Sequence, residues 1–190
     1  MTSTTSNEPR ASSHDASSIE SEIAAENAWK TLDLSGIRFR SIRAADFVIL
    51  RSFVHGLSRD TAYKRLLSGR TLTDDELRRW SALDPATECA LVAVTGAEDQ
   101  EQLIGVARFS IESTQEAEFA IVLADSWQGL GLGRELMMRL ITAARQRDLR
   151  KLRGHSLSAN TSMLALARRL GFATFRLSSD ITALTLELRS

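Results

Sequence analysis

From Gly36 onward the chain switches between two hydrophobic periodicities, and the switches mark its elements. Ile37-Arg38-Phe39-Arg40-Ser41-Ile42-Arg43 alternates apolar and polar residues, the pattern of a strand with one wet face. Ala45 to Leu57 and Asp60 to Leu67 read as helices broken by Gly56 and Ser58. Thr73-Asp74-Asp75-Glu76 predicts a capped third helix, with acids in its first turn opposing the dipole and Arg78 and Arg79 further along. Three β stretches follow, Glu88 to Thr95, Gln102 to Glu112 and Glu116 to Ala124, parted by turn residues as in an antiparallel meander. After a glycine-rich run comes a helix from about Arg134 to Arg147, with Leu136, Leu140 and Ala144 stacked on one face. Lys151 to Leu157 predicts a strand, Thr161 to Leu170 a helix, and Phe172 to Leu188 two closing strands. The order predicts an α+β domain over 36–190: one mixed, mostly antiparallel sheet of six to seven strands flanked by helices.

Residues 1–33 follow another logic. Glu8, Asp15, Glu20, Glu22, Glu26 and Asp33 stand against Arg10 and Lys30, a net −4 that leaves +4 on the rest of the chain. Met1 to Ser18 is mostly Ser, Thr and Asn with little to bury, so this acidic tail is expected to be largely disordered, with a short helix at 18–30 opened by Ser17-Ser18-Ile19-Glu20. Over all 190 residues, 24 Lys+Arg balance 24 Asp+Glu. That neutrality argues against bulk binding to nucleic acid or to an anionic membrane surface. No apolar run reaches the roughly 18–20 residues of a membrane span, and Met1 to Ser18 lacks the basic and apolar regions of a secretory signal. The lone Cys89 permits no internal disulfide and no cysteine-based zinc site, so a cytoplasmic protein without metal is expected.

The densest chemistry lies in Gln128-Gly129-Leu130-Gly131-Leu132-Gly133-Arg134, between a strand and a helix. Glycines allow close approach and left-handed backbone, so several N–H groups can converge on one anion at the positive end of a helix dipole. This suits a pyrophosphate. A dinucleotide-binding turn needs its third glycine one residue later, with an acid about twenty residues on; a P-loop needs Gly-Lys-Ser/Thr where this chain has Gly133-Arg134-Glu135. A glycine-rich turn without a ligand is the plain alternative.

Gln128-x-x-Gly131-x-Gly133 after the strand Phe119 to Leu123, then Asn160 and Leu166-Ala167-Arg168-Arg169-Leu170-Gly171-Phe172, resembles the GNAT superfamily of acyl-CoA-dependent N-acyltransferases. Gly56-Leu57-Ser58, Leu72 to Leu77, Glu116 to Ala120 and Met163 to Arg168 are similar to the catalytic domain of Pat-type bacterial protein-lysine acetyltransferases. Those usually carry a large fused acyl-CoA-synthetase-like domain, for which 190 residues leave no room. The resemblance implies the GNAT fold and acetyl-CoA as co-substrate. It implies that the amides of Gln128, Gly129, Gly131, Leu132, Gly133 and Arg134 hold the pyrophosphate, with the Arg134 side chain adding charge. The backbone of Ile121 and Leu123 would pair with the pantetheine arm, the Leu123 N–H would face the thioester oxygen, and Asn160 would bond the pantetheine or the phosphates. The acceptor it implies is a protein lysine ε-amine, such as one on an acyl-CoA synthetase. Ala167 stands where many members place a tyrosine general acid. A small-molecule amine acetyltransferase and a non-catalytic acyl-CoA-binding regulatory module remain the alternatives.

Attack on a thioester needs a neutral amine, and a lysine of pKa ~10.4 is neutral about once in 2,500 at pH 7, a cost of about 4.6 kcal/mol. A nearby carboxylate can take the proton. Glu116 and Glu118 share one face of the strand entering the site. Glu118 is the expected base: its neighbours Ala117, Phe119 and Ala120 suggest an apolar setting that raises its pKa, and the resemblance points to the same residue. Of the histidines, only His155 falls near the expected site, and it reads as structural.

Overall fold

The computed structural model describes residues 35–188, and the expected acidic tail with its 18–30 helix lies outside them. The strands are β1 (Arg38–Ser41), β2 (Glu88–Thr95), β3 (Gln102–Ile111), β4 (Glu116–Leu123), β5 (Lys151–Leu157), β6 (Ala173–Arg176) and β7 (Ile181–Glu187). The helices are α1 (Phe47–His55), α2 (Arg59–Leu66), α3 (Asp74–Ser81), α4 (Leu132–Arg145) and α5 (Thr161–Arg169). All seven strands form one sheet in the order β1-β2-β3-β4-β5-β7-β6. Every pair is antiparallel except β4–β5. The expected α+β sheet is therefore present, with short 3-10 turns at Ala44–Asp46 and Asp125–Trp127 trimming the predicted ends.

Alternation along the strands divides the interior in two. On one face Ala107, Phe109, Ala117 and Phe119 pack against Leu136, Met137, Leu140 and Ala144 of α4 and Leu164 and Ala167 of α5. On the other, Val92, Val94, Leu103 and Val106 meet Leu50 and Phe53 of α1 and Leu77 of α3. Each buried Val, Leu, Met or Phe among them contributes roughly 1.5–3 kcal/mol of transfer free energy. Cys89 is buried among them, and burial raises its thiol pKa. Among the described residues no helix is long and apolar enough to cross a membrane.

The capping expected at Thr73 is present: Thr73 Oγ1 accepts from the Glu76 N–H at 3.3 Å and Glu76 returns the bond to the Thr73 N–H at 2.8 Å. Ser58 caps α2 and Asn160 caps α5. The N-cap of α4 is Gly131 at φ +91°, with no side-chain cap. Side-chain oxygens thus serve the first turns of α2, α3 and α5, while the first-turn amides of α4 receive none.

Candidate active site

The parallel pair β4–β5 is joined only at Glu116↔Lys151, Ala117↔Leu152 and Glu118↔Arg153. Beyond that point β4 continues to pair with β3 as far as Leu123, while β5 pairs with β7 as far as Leu157. The two strands have parted, and the far side of β4 from Phe119 to Leu123 is left unpaired by the sheet.

The ladder dictates which backbone groups face this opening. Glu112 N–H donates to Glu116 O at 2.9 Å and Ala124 N–H to Ile104 O at 3.0 Å, so the even-numbered residues of β4 bond to β3. N–H and C=O directions alternate along a strand, so those of Phe119, Ile121 and Leu123 face the opening. Ile121 and Leu123, the two residues expected to offer their backbone, are among those that face the opening. The Leu123 carbonyl already accepts from Gln128 Nε2 at 3.3 Å, leaving the Leu123 N–H as the outward donor.

The glycine loop lies at the end of this edge. Gly129 at φ +74° and Gly131 at φ +91° hold left-handed backbone, and a Cβ at Gly129 would meet nothing within 4 Å. Helix α4 opens at Leu132, two residues earlier than the pattern suggests, so Gly133 lies inside its first turn. A Cβ on Gly133 would sit 3.4 Å from methyls of Leu123 and Leu166, so its bareness serves packing between β4, α4 and α5. Arg134 pairs with Glu135 at 3.1 Å. Asn160 Oδ1 accepts from the Met163 N–H at 3.2 Å, which commits the oxygen to the cap and leaves the amide nitrogen to reach outward. The uncapped amides and open loop backbone fit an extended pyrophosphate-containing ligand.

A set of bonds not visible in the local pattern fixes the loop. Asp125 accepts from Ser58 N–H at 3.0 Å, Ser58 Oγ at 2.7 Å and Thr61 Oγ1 at 2.7 Å. Gln128 Nε2 also donates to Thr61 Oγ1, at 3.0 Å. The loop is thereby tied to the first turn of α2, and the Ser58 amide and hydroxyl hold the Asp125 carboxyl below its usual range.

At the near end of the opening, Glu118 and His155 meet, Oε1 to Nδ1 at 3.1 Å. The apolar setting expected for Glu118 is not what surrounds it. Ala117 and Phe119 point to the opposite, buried face, as strand neighbours must. The Glu118 side chain is half exposed and lines a cavity of about 580 Å³ with Arg65, Arg108, Trp80 and His155. Glu116 is engaged by Lys151 at 2.9 Å and Arg153 at 3.4 Å, which lower its pKa and make it a poor proton acceptor. His155 is the site residue that the sequence reading set aside. Its signal was the shared parity of Lys151, Arg153 and His155, which a parallel register lays beside Glu116 and Glu118. Among the described residues no group of His, Cys, Asp or Glu is arranged to hold a metal ion.

The chain is similar to known proteins in both sequence and fold. Residues 56–172 match the family model described as the acetyltransferase (GNAT) family. The chain is 29% identical over 148 residues to Acetyltransferase PA5475 of Pseudomonas aeruginosa, covering 77% of this chain and 80% of that one. It resembles the crystal structure of the GNAT domain of S. lividans PAT with a TM-score of 0.72 and 25% identity, over 80% of this chain and 90% of that domain. It also shares its fold with yncA of Salmonella typhimurium, a putative acetyltransferase solved with acetyl-CoA, at a TM-score of 0.65 and 22% identity over 81% and 95% of the two chains.

Proposed function

The chain belongs to the acetyltransferase (GNAT) family, and from that premise we propose that it transfers the acetyl group of acetyl-CoA to an amine bound in the cavity beside Glu118. The observation that carries the reading is the open edge of β4, which runs from an uncapped, glycine-opened helix at one end to the Glu118–His155 pair at the other. The amides of Gly129 to Gly133 would hold the pyrophosphate and the backbone of Ile121 and Leu123 the pantetheine arm; of the amides expected from the sequence, Gln128 N–H already donates to Asp125 O at 3.3 Å and Arg134 N–H to Gly131 O at 3.0 Å. Acetyl-CoA supplies the activated acetyl thioester.

The remaining chemistry falls to the chain's own side chains. Glu118 takes the proton of the attacking amine, directly or through a water. His155 Nδ1–H orients the carboxylate, in the tautomer that lets it donate. The Leu123 N–H faces the position where the thioester oxygen gains charge, the kind of donor whose loss costs ~3 kcal/mol. The amine attacks in a complex holding both substrates. The thiolate of CoA, near a free cysteine's ~8.5, is a tolerable leaving group without the tyrosine replaced by Ala167.

The acceptor expected from the Pat-type resemblance is a protein lysine ε-amine. The cavity supports a second reading, because about 580 Å³ is the size that accepts a small molecule. Labelled acetyl-CoA incubated with the purified protein and host lysate separates them. Label in protein lysines favours the first, label in small amines the second. Equal label with and without the protein would defeat both and leave only a binding module. A cytoplasmic location belongs to the same proposal.

A further inference from the structure

The cavity that receives the acceptor has a charge asymmetry that the general reaction does not require. Four guanidinium groups line it, those of Arg65, Arg70, Arg79 and Arg108, against two carboxylates, Glu88 and Glu118. Both carboxylates have partners: Glu88 is bound by Arg108 at 2.5 Å and Glu118 faces His155. Arg70 is paired with Glu76 at 2.6 Å. No carboxylate among the described residues lies within ion-pairing distance of Arg65 or Arg79.

Arg65 is the more telling of the two. It projects from the last turn of α2 and stacks over Trp80, its guanidinium carbon 5.0 Å from the ring centroid; Arg108 approaches the same ring at 5.0 Å. Two like charges are held at one indole in a partly buried recess. Burial and the neighbouring Arg108 push the Arg65 pKa down to about 10, with Glu118 opposing them in part, so the guanidinium remains charged at neutral pH and the cost of its burial is only partly offset. Such an arrangement stores attraction for an anion. A polyamine, or a lysine flanked by basic residues, would meet repulsion here.

Resting on the reading of this cavity as the acceptor site, we infer that the preferred acceptor is an amine that also carries an anionic group, carboxylate or phosphoryl, which seats on Arg65 and Arg79 while the amine reaches Glu118. The basic wall and the acidic base thus divide one molecule between them. Planar, forked guanidiniums suit bidentate recognition of such oxyanions.

The test compares acceptors of one length and different tails: 4-aminobutyrate, butylamine and 1,4-diaminobutane, each assayed for CoA release with the full chain. The expected order of kcat/KM is anionic, then neutral, then cationic, with about ten-fold or more between the first two. In Arg79→Gln, whose side chain is exposed and cheap to replace, the anionic-to-neutral ratio shrinks several-fold, while the affinity for acetyl-CoA measured by calorimetry is unchanged. Arg65→Gln, if it folds, shrinks it further. A preference for butylamine or the diamine overturns the inference, as does an unaltered ratio in Arg79→Gln. Parallel assays on lysine peptides with acidic or basic flanks identify the source of the anion: preference for the acidic peptide over 4-aminobutyrate assigns it to a protein. Failure of the underlying reading registers separately, as no heat on titration with acetyl-CoA alone. If acetyl-CoA binds but none of these amines or peptides is acetylated, the inference is overturned as well.

Discussion

At the scale of the residue, the proposed chemistry rests on Glu118 and on what holds it. A half-exposed carboxylate beside a histidine is a base whose proton can leave again to solvent, as turnover demands. Glu118→Gln keeps the shape and the contact to His155 but removes the acceptor, so turnover falls by about 10²–10⁴ while acetyl-CoA binds as before; calorimetry beside a steady-state assay checks both halves. His155→Phe, which loosens the carboxylate without removing it, should lower kcat by roughly ten-fold with the affinity for acetyl-CoA unchanged. A comparable loss of acetyl-CoA affinity or of thermal stability would make His155 structural. The apolar setting that the sequence suggests for Glu118 is absent from the structure. Sequence neighbours in a strand point to opposite faces, so Ala117 and Phe119 say nothing about the surroundings of its side chain. Those surroundings come from β5 and α2, residues 37 positions later in the case of His155, and no local pattern announces them.

At the scale of the element, caps and turns were the most readable features, because they depend on a few adjacent residues. Thr73 with Glu76 and the glycines of the loop are of this kind. The role of the Gln128 side chain was hidden, since the bond from its amide to Thr61 crosses from one element to another. The three alternate glycines also proved unequal. Gly131 stands at φ +91°, where an L-residue is strained, so Gly131→Ala should raise the dissociation constant for acetyl-CoA by roughly ten-fold, equivalent to about 1–2 kcal/mol of loop strain. Gly133 is helical and a methyl there meets only side-chain methyls of Leu123, Leu166 and Ile121, so Gly133→Ala should move the same constant far less. Equal effects in a calorimetric titration would mean that loop conformation is not what the ligand reads.

At the scale of the whole molecule, the periodicities sufficed for the order and type of nearly every element. They gave no sign that the one parallel strand pair separates halfway along. Elsewhere the frame is secured by ion pairs between distant segments. Arg40 on β1 bonds Asp46 at 2.7 Å and 2.9 Å and also reaches Glu101, which pairs with Arg38 at 2.9 Å. The two arginines hold the Glu101 carboxyl at a pKa of about 2, below its ordinary 4.5. Its stabilising effect is therefore complete above about pH 4.5 and disappears as the pH falls through 2. Thermal melts of the native protein and Glu101→Gln should differ most at neutral pH and converge toward pH 2; a gap independent of pH would exclude the charge as its source. Arg40→Ala leaves the buried Asp46 with the Arg43 N–H but without its counter-charge and should cost about 2–3 kcal/mol, or roughly 5–10 °C in Tm. The parting of β4 from β5 has a mechanical corollary. A sheet unzipped along one seam is a clasp, and whatever lies in the seam fastens it. The amides of Ile121 and Leu123 should exchange hydrogen readily in the free protein and slowly once acetyl-CoA is added. At a hundred-fold excess over its dissociation constant the ligand would also add about 2.7 kcal/mol to the stability of the fold.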